Sequence, residues 1–133
     1  MKNKFSKHWK SSKQPRKQRK YIANAPLHIK HKFLAAHLSK DLIKKYKKRS
    51  LPVRKGDTVK IVRGRFKKKM GKIEKVLQKK TRVYIENIKN LKKDGSKTYI
   101  PVQPSNLIIT ELNLDDKERQ KILQRNKVME NKK

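Results

Sequence analysis

The sequence VRKGDTVKIVRGRFKKKMGKIEKVL, residues 53–77, predicts two short strands that present a cationic loop. Val59 and Ile61 alternate with polar residues and would share one face of the first strand. Gly64 ends this run, and an apolar strand pattern resumes after Gly71. The loop between the two glycines carries four positive charges and no negative charge, so this stretch suggests a scaffold for binding an anion.

Details of the same stretch indicate how the hairpin is shaped. Gly56 belongs to a turn signal, and Gly71 fits a position of close backbone approach or positive φ. The apolar parity changes between Ile73 and Val76, which predicts a bulge near residues 74–75. Two glycines and alternation are common, so an ordinary hairpin with a charged loop remains the alternative for this window alone.

The composition favours a polyanionic partner. The 133 residues include 41 Lys and Arg against 10 Asp and Glu, for a net charge of +31. Self-repulsion on that scale opposes a compact fold in isolation. Only 33% of the residues are apolar, which limits the chain to one small core with appendages outside it.

The sequence also argues against other classes of partner and location. No run of about 18 apolar residues is present, and the N-terminus leads into no hydrophobic signal segment, so we expect a cytoplasmic protein that is not membrane-embedded. The absence of cysteine excludes disulfides and thiolate metal sites. We expect no cofactor and no small-molecule substrate.

Residues 1–20 form a basic arm with nine positive charges and no acid. This composition predicts a segment that is disordered alone and extended along phosphates when bound. Phe5 and Trp9 are its large apolar groups, and they would stack on bases or sugars. A solubilising tail is the alternative.

Residues 21–52 predict a helical extension. Apolar spacing indicates one helix over about 26–38, and Ser39 can cap a second helix. His28, His31 and His37 lie on or near the first helix, but too few further ligands accompany them for a metal site. We interpret them as polar surface groups or RNA contacts.

Five short strands and a final helix complete the prediction. The strands are expected near residues 59–63, 71–77, 82–86, 98–100 and 107–112. Turn signals between them favour a small, bent barrel and a mainly β fold. Asp115 and Glu118 resemble a capping box for a helix through about Asn126, which explains this acidic cluster better than a catalytic pair of carboxylates does.

Several of these segments together resemble one known family. The resemblance runs through LSKDL, Lys45-Tyr46, RSLPVRKGD, Val62-Arg63-Gly64, Gly71-Lys72-Ile73 and Pro104-Ser105-Asn106-Leu107, and covers roughly residues 20–126. These residues are similar to the KOW-domain ribosomal proteins called L-twenty-four, in their archaeal branch, which also resemble the eukaryotic L-twenty-six proteins. Gly56, Gly64, Gly71, Pro104, Ser105 and Asn106 are the structural positions of this motif.

The resemblance implies an SH3-like barrel bound to large-subunit ribosomal RNA. It also implies neighbouring ribosomal proteins as partners, no homo-oligomer, a place near the nascent-chain tunnel exit and a contribution early in assembly. The implied units are an extended arm (1–20), a helical extension (21–52), the barrel (53–112) and a C-terminal helix with a basic tail (113–133). Three residues depart from the family pattern: Lys47 stands where glycine is expected, Lys68 where a small residue is expected, and Gln103 where histidine is usual.

The predicted RNA contacts lie on the hairpin and on the arm. They are Phe5, Trp9, Arg16, Lys17, Arg19, Lys20, Arg54, Lys55, Arg63, Arg65, Lys67, Lys68 and Lys69. Arginine can grip phosphate in bidentate fashion and lysine acts as a point charge. The alternatives are a KOW transcription elongation factor, a DNA-compacting protein and, last, a nuclease, for which the sequence offers no nucleophile or metal constellation.

Overall fold

The computed structural model describes residues 5–6, 8–9 and 11–130, and it describes side chains up to residue 125. The helices are α1 (Pro15–Asn24), α2 (Leu27–Phe33), α3 (Lys40–Tyr46) and α4 (Lys117–Glu130), with a 3₁₀ turn at Pro104–Asn106. The strands are β1 (Ala35–Leu38), β2 (Ser50–Pro52), β3 (Thr58–Ile61), β4 (Met70–Leu77), β5 (Arg82–Ile85), β6 (Lys89–Leu91), β7 (Lys97–Tyr99) and β8 (Leu107–Glu111).

Six strands form one mixed sheet in the order β2-β1-β8-β3-β4-β5. β1 runs parallel to β8, with His37 opposite Ile108 and Leu38 opposite Ile109. The neighbouring pairs β1–β2, β3–β8, β3–β4 and β4–β5 are antiparallel. β6 and β7 form a separate two-stranded ribbon.

The core lies against this sheet and follows the period-two burial expected of strands. Val59 and Ile61 of β3 are both buried, which confirms that they share one face. Val83 and Ile85 of β5 are buried in the same alternating way. The wider core also includes Leu34, Ala36, Leu38, Leu51, Val53, Ile73, Ile88, Leu107, Ile109 and Leu123. Residues from the N-terminal extension and from α4 therefore share one core with the hairpin.

Each of the five predicted strands has a counterpart, but the fold is less dominated by strands than predicted. β1, β2 and β6 were not expected, and helices hold about as many residues as strands do. The prediction of a mainly β fold is therefore corrected to a mixed sheet with several helices.

The predicted helix over 26–38 is too long. α2 ends at Phe33, and Ala35–Leu38 joins the sheet instead. Ala36 and Leu38 are buried while His37 is exposed, which is strand alternation. Leu34 and Leu38 have helical spacing and are both buried, but Leu34 caps the end of α2 and Leu38 belongs to β1.

The predicted extended arm is also corrected in part. Residues from Pro15 onward form α1, with proline in the first turn, where its missing N–H costs no hydrogen bond. Arg16, Lys17, Arg19 and Lys20 therefore lie on a helix. Residues 1–4, 7 and 10 of the arm lie outside the described residues.

Three local predictions can be checked directly. The Ser39 side chain accepts a hydrogen bond from the Leu42 N–H and caps α3. The register of β4 against β5 shifts between Ile73 and Lys75, which confirms the bulge. The cap of α4 is one residue later than predicted, because Asp116 accepts from the Glu118 N–H at 3.1 Å.

No helix within the described ranges is both long and apolar enough to cross a membrane.

Candidate nucleic-acid interface

The connection between β3 and β4, residues 62–69, is called the hairpin tip below, and backbone hydrogen bonds fix it. The Lys68 N–H donates to the Ile61 carbonyl at 2.8 Å, and the Ile61 N–H donates to the Lys69 carbonyl at 2.9 Å. Outside the hairpin, the Val62 N–H donates to the Asn106 carbonyl at 2.9 Å. The tip is therefore tied both to its own strand and to the corner before β8.

The cations of the hairpin tip are exposed around one partly buried ring. Arg63, Arg65, Lys67, Lys68 and Lys69 are all exposed. Phe66 packs against the core. The Arg65 guanidinium lies 5.7 Å and the Lys69 ammonium 5.2 Å from its ring centroid. An aromatic ring attracts cations at such distances, so Phe66 anchors the loop and helps to hold two charges beside it.

Gly71, the second residue of β4, lies unusually close to the chain at the end of β5. A Cβ atom at this position would lie 2.8 Å from the Glu86 carbonyl oxygen and 2.8 Å from a methyl carbon of Ile85. Of the two reasons offered by the sequence, close approach is therefore the one that applies. β4 and β5 can pack at this distance because residue 71 has no side chain.

Two departures from the family pattern have left-handed backbone. Lys47, the residue after α3, has φ of 53°, and Lys68 in the hairpin tip has φ of 72°. Residues with a Cβ atom pay a steric cost in this region that glycine does not pay. The positions where glycine or another small residue was expected are thus positions where the backbone favours glycine, and this chain places a lysine at each.

Arg54 and Lys55 lie in the turn that opens β3, and they differ in their surroundings. Both residues are exposed. The Arg54 guanidinium forms an ion pair of 2.6 Å with Asp116 at the start of α4. Arg54 is therefore already partly neutralised within the chain, and Lys55 is the better placed of the two to meet phosphate.

Beneath this turn lies a buried ion pair that the sequence did not reveal. Asp57 and Arg119 are 0% and 3% exposed, and two N–O contacts of 2.6 and 2.7 Å join them. The carboxylate of Asp57 also accepts from the backbone N–H groups of Arg54 and Asn113. This network fixes the start of β3 against α4, and a separation of 62 positions hides it from local sequence patterns.

The N-terminal segment is held by an aromatic cluster of Phe5, Trp9, Tyr21 and Phe33. The Tyr21 ring lies 4.9 Å from Phe5, 4.4 Å from Trp9 in a stacked arrangement, and 6.0 Å from Phe33, between centroids. Phe5 and Trp9 were predicted to stack on RNA, and here Trp9 stacks on Tyr21 while the Phe5 ring packs against Tyr21 at a tilt of 37°. Their contact with RNA stays a prediction. It would use the faces and edges of the two rings that remain exposed, since both residues are only partly buried.

The structure therefore groups the eleven predicted contact residues that are cations into three places, while Phe5 and Trp9 lie in the aromatic cluster. Five cations share the hairpin tip, four share α1, and Arg54 and Lys55 share the turn before β3. Of the motif positions in the corner, Pro104 is buried, Ser105 is exposed, and Asn106 supplies the carbonyl that holds Val62. The arrangement can bind anions at several separated points.

Perturbed ionisable groups occur outside these places. A hydrogen bond with Tyr99 raises the pKa of Lys89, and hydrogen bonds from Ser96 lower the pKa of Asp94 in the ribbon of β6 and β7. Burial, followed by the charge of Arg125, lowers the pKa of Lys48. Within the described residues, no group of three or more His, Asp or Glu side chains is arranged to hold a metal ion.

Comparisons with known proteins agree on one family. A family model that describes the eukaryotic L-twenty-six and archaeal L-twenty-four ribosomal proteins matches residues 12–126. The chain is similar to the large ribosomal subunit protein uL24 of Methanosphaera stadtmanae, with 52% identity over 114 residues. That alignment covers 86% of this chain and 97% of the relative.

Proposed function

Because the chain belongs to the family of eukaryotic L-twenty-six and archaeal L-twenty-four ribosomal proteins, we propose that it binds ribosomal RNA as a structural part of the large subunit. Its location is the cytoplasmic ribosome. Members of such a family are generally structural rather than enzymatic.

The observation that carries the proposal is the fixed hairpin tip. It presents five exposed cations on a backbone that hydrogen bonds hold in place. A preformed array of cations binds phosphates without a large ordering cost. The net charge of +31 supports the same partner, since counterion release drives binding to RNA.

The proposed RNA contacts are the residues predicted from the sequence, and the structure suggests how much each group contributes to phosphate binding. The tip residues and Lys55 come first, the cations of α1 follow, and Arg54 comes last because Asp116 competes for it. A-form RNA hides its base edges in a deep groove. The contacts should therefore depend on backbone shape and on unpaired bases more than on duplex sequence.

The proposal extends to the shape of the sheet and to the units of the chain. We infer an SH3-like barrel over residues 53–112, with 1–20, 21–52 and 113–133 as extensions. Two observations support closure: the bulge between Ile73 and Lys75, and a bridge in which Val83 and Val102 exchange hydrogen bonds of 2.9 Å. The bridge ties β5 to the segment that leads into β8.

A place near the tunnel exit, a role early in assembly and contacts with neighbouring ribosomal proteins belong to the same proposal. These three follow from the family resemblance alone. All three require that the chain is bound to large subunits. Sedimentation of cell extract after a high-salt wash tests this, because the chain should then co-migrate with large subunits.

The binding test uses the full chain and a folded fragment of large-subunit RNA at several salt concentrations. With about ten phosphates neutralised, log K should fall against log[salt] with a slope of roughly −7 to −9. A slope near −2 contradicts the contact set. Equal affinity for duplex DNA of the same length would instead favour a general DNA-compacting protein.

A matched pair of variants locates the contacts. Replacing Lys67, Lys68 and Lys69 by glutamine removes three charges from the tip, and replacing Lys92, Lys93 and Lys97 removes three from the ribbon. The tip variant should reduce the steepness of the salt slope by about 2, at roughly 0.7 per phosphate contact, and the ribbon variant should reduce it less. Equal losses would show that net charge, rather than the tip, determines binding.

A further inference from the structure

The aromatic cluster borders a groove that the cationic contacts do not use. Its walls come from five separate parts of the chain: the N-terminal segment, α1, the end of α2, the β4–β5 turn and the corner before β8. The lining residues include Trp9, Tyr21, Phe33, Thr81, Gln103 and Ser105. Its volume is about 410 Å³, within the roughly 300–1,000 Å³ typical of ligand pockets.

The chemistry of the groove combines flat apolar walls with polar groups at one end. Trp9 and Tyr21 supply aromatic walls, and both are only partly buried, so part of each ring is accessible. Gln103 and Ser105 are exposed, and neither side chain has a hydrogen-bond partner in the part of the chain that the structure describes. An amide offers both donors and an acceptor, which are the groups needed at the edge of a nucleobase.

The surroundings of the groove are cationic. A neighbouring groove of about 440 Å³ shares Trp9 and Tyr21 and is also lined by Lys17 and Lys20. On the other side, Lys79 and Lys80 come directly before Thr81 and are exposed. A flat apolar slot between lysines suits a base whose own phosphates lie outside the slot.

We propose that this groove binds one unpaired nucleobase of RNA, stacked against the indole of Trp9 with its polar edge toward Gln103. The proposal rests on the proposed binding to ribosomal RNA and adds a stacking site to it. It also assigns a role to Gln103, the departure that stands where the family usually has histidine. An apolar side chain of a neighbouring protein is the competing occupant.

Trp9 makes the test direct, because it is the single tryptophan of the chain. The probes are two single-stranded RNA hexamers with equal charge, one of adenosine and one of abasic ribose phosphate, each with a terminal dye for anisotropy. The adenosine hexamer should quench the indole fluorescence in a saturable way, and the abasic hexamer should bind with little quenching. Saturation by the adenosine hexamer without quenching overturns the proposal and favours a protein side chain as the occupant.

Three variants separate stacking from simple charge. Trp9→Leu should weaken binding of the adenosine hexamer by about 5- to 100-fold, the range expected for loss of one stacked base, and Trp9→Phe should retain most of the affinity. Gln103→Ala leaves the aromatic cluster intact and should weaken quenching severalfold while anisotropy with the abasic hexamer stays unchanged. If Gln103→Ala and Trp9→Leu both leave adenosine binding unchanged, the groove is not a base site.

Binding to the folded ribosomal RNA fragment keeps the two proposals apart. Normal affinity for that fragment together with no quenching in either experiment would sink the base site alone. A shallow dependence of log K on log[salt] for the folded fragment would contradict the proposed RNA contacts, regardless of the Trp9 fluorescence result.

Discussion

The hairpin tip and α1 carry similar numbers of cations on backbones that are held in very different ways. The tip is fixed by paired backbone hydrogen bonds and by Phe66, which packs on the core. α1 buries none of its own residues, and its described tertiary contacts centre on Tyr21 in the aromatic cluster. The chain therefore combines a preformed cation array with one whose position depends on a few rings.

This difference predicts that the two regions respond independently to substitution. Damage to the sheet should unfold the tip and the core together, because they share strands and hydrogen bonds. Damage to the aromatic cluster should release α1 and leave the sheet folded. The predictions below test that separation, from the largest expected effect to the smallest.

The largest effect is expected from Asp57→Ala. It leaves the Arg119 guanidinium buried without its carboxylate and leaves two backbone N–H groups without an acceptor. Removing one partner of a buried pair costs about 3–5 kcal/mol. Urea unfolding of the full chain measures this loss, with exposed Asp115→Ala as the control, for which a change within about 0.5 kcal/mol is expected. A loss below about 1 kcal/mol for Asp57→Ala would mean that α4 does not depend on this network.

Gly71→Ala tests the close approach between β4 and β5. The added methyl group meets a backbone oxygen and a buried side chain, neither of which can move far. Overpacking of this kind costs about 1–3 kcal/mol. The neighbouring exposed residue provides the control, since Lys72→Ala removes a side chain from the same strand without a clash. Equal unfolding free energies for the two variants would contradict the geometry at residue 71.

Tyr21→Ala tests the attachment of α1. The free energy of global unfolding should fall by about 1 kcal/mol or less, because local elements can open without the rest of the fold. Amide hydrogen exchange in α1 should nevertheless become much faster, while exchange in β3 and β4 stays unchanged. Ile22→Ala, at a neighbouring residue that is 46% exposed, is the control and should leave exchange nearly as it was. Faster exchange throughout the sheet would show that the aromatic cluster is part of the main core.

Lys68→Gly should have the smallest effect, and its sign is the informative part. Glycine relieves the left-handed strain at φ of 72° but loses more entropy on folding, so a net gain of about 0.5 kcal/mol is expected. Lys67→Gly removes the same charge at a residue without positive φ and should cost about 0.5–1 kcal/mol. Thermal unfolding of both variants measures the difference. A loss of stability in both would show that the tip tolerates lysine at residue 68 without strain.

What could be predicted from the sequence was local. The alternation in β3, the strands at β5 and β8, the Ser39 cap and the bulge after Ile73 each depend on a few neighbouring residues, and the structure has all of them. β1 and β2 have only four and three residues, which is too few for a strand-like alternation to be recognised in the sequence. The helical spacing of Leu34 and Leu38 predicted a helix over the residues of β1 instead. The strand state of β1 and β2 comes from pairing with distant segments.

Around the candidate site, the features that could not be predicted have a similar origin. α1 has no buried residue, so its sequence resembles that of a solvated basic arm. A helix that buries no face needs no apolar stripe, and the sequence therefore shows no periodic signal for it. The Asp57–Arg119 pair joins positions far apart in sequence, and its acid looked like an ordinary turn residue. The cations of the tip were identifiable because one short loop contains them all.

The parallel pairing of β1 with β8 bears on how the chain folds as it is synthesised. His37 and Leu38 meet partners about seventy positions later, so the hydrogen bonds that join these strands cannot form until β8 has been synthesised. Until then β1 lacks one of its two neighbouring strands, and contacts between such distant segments form slowly. The high positive charge that opposes compaction would also keep these nascent chains apart, so mutual repulsion protects an incomplete sheet from aggregation.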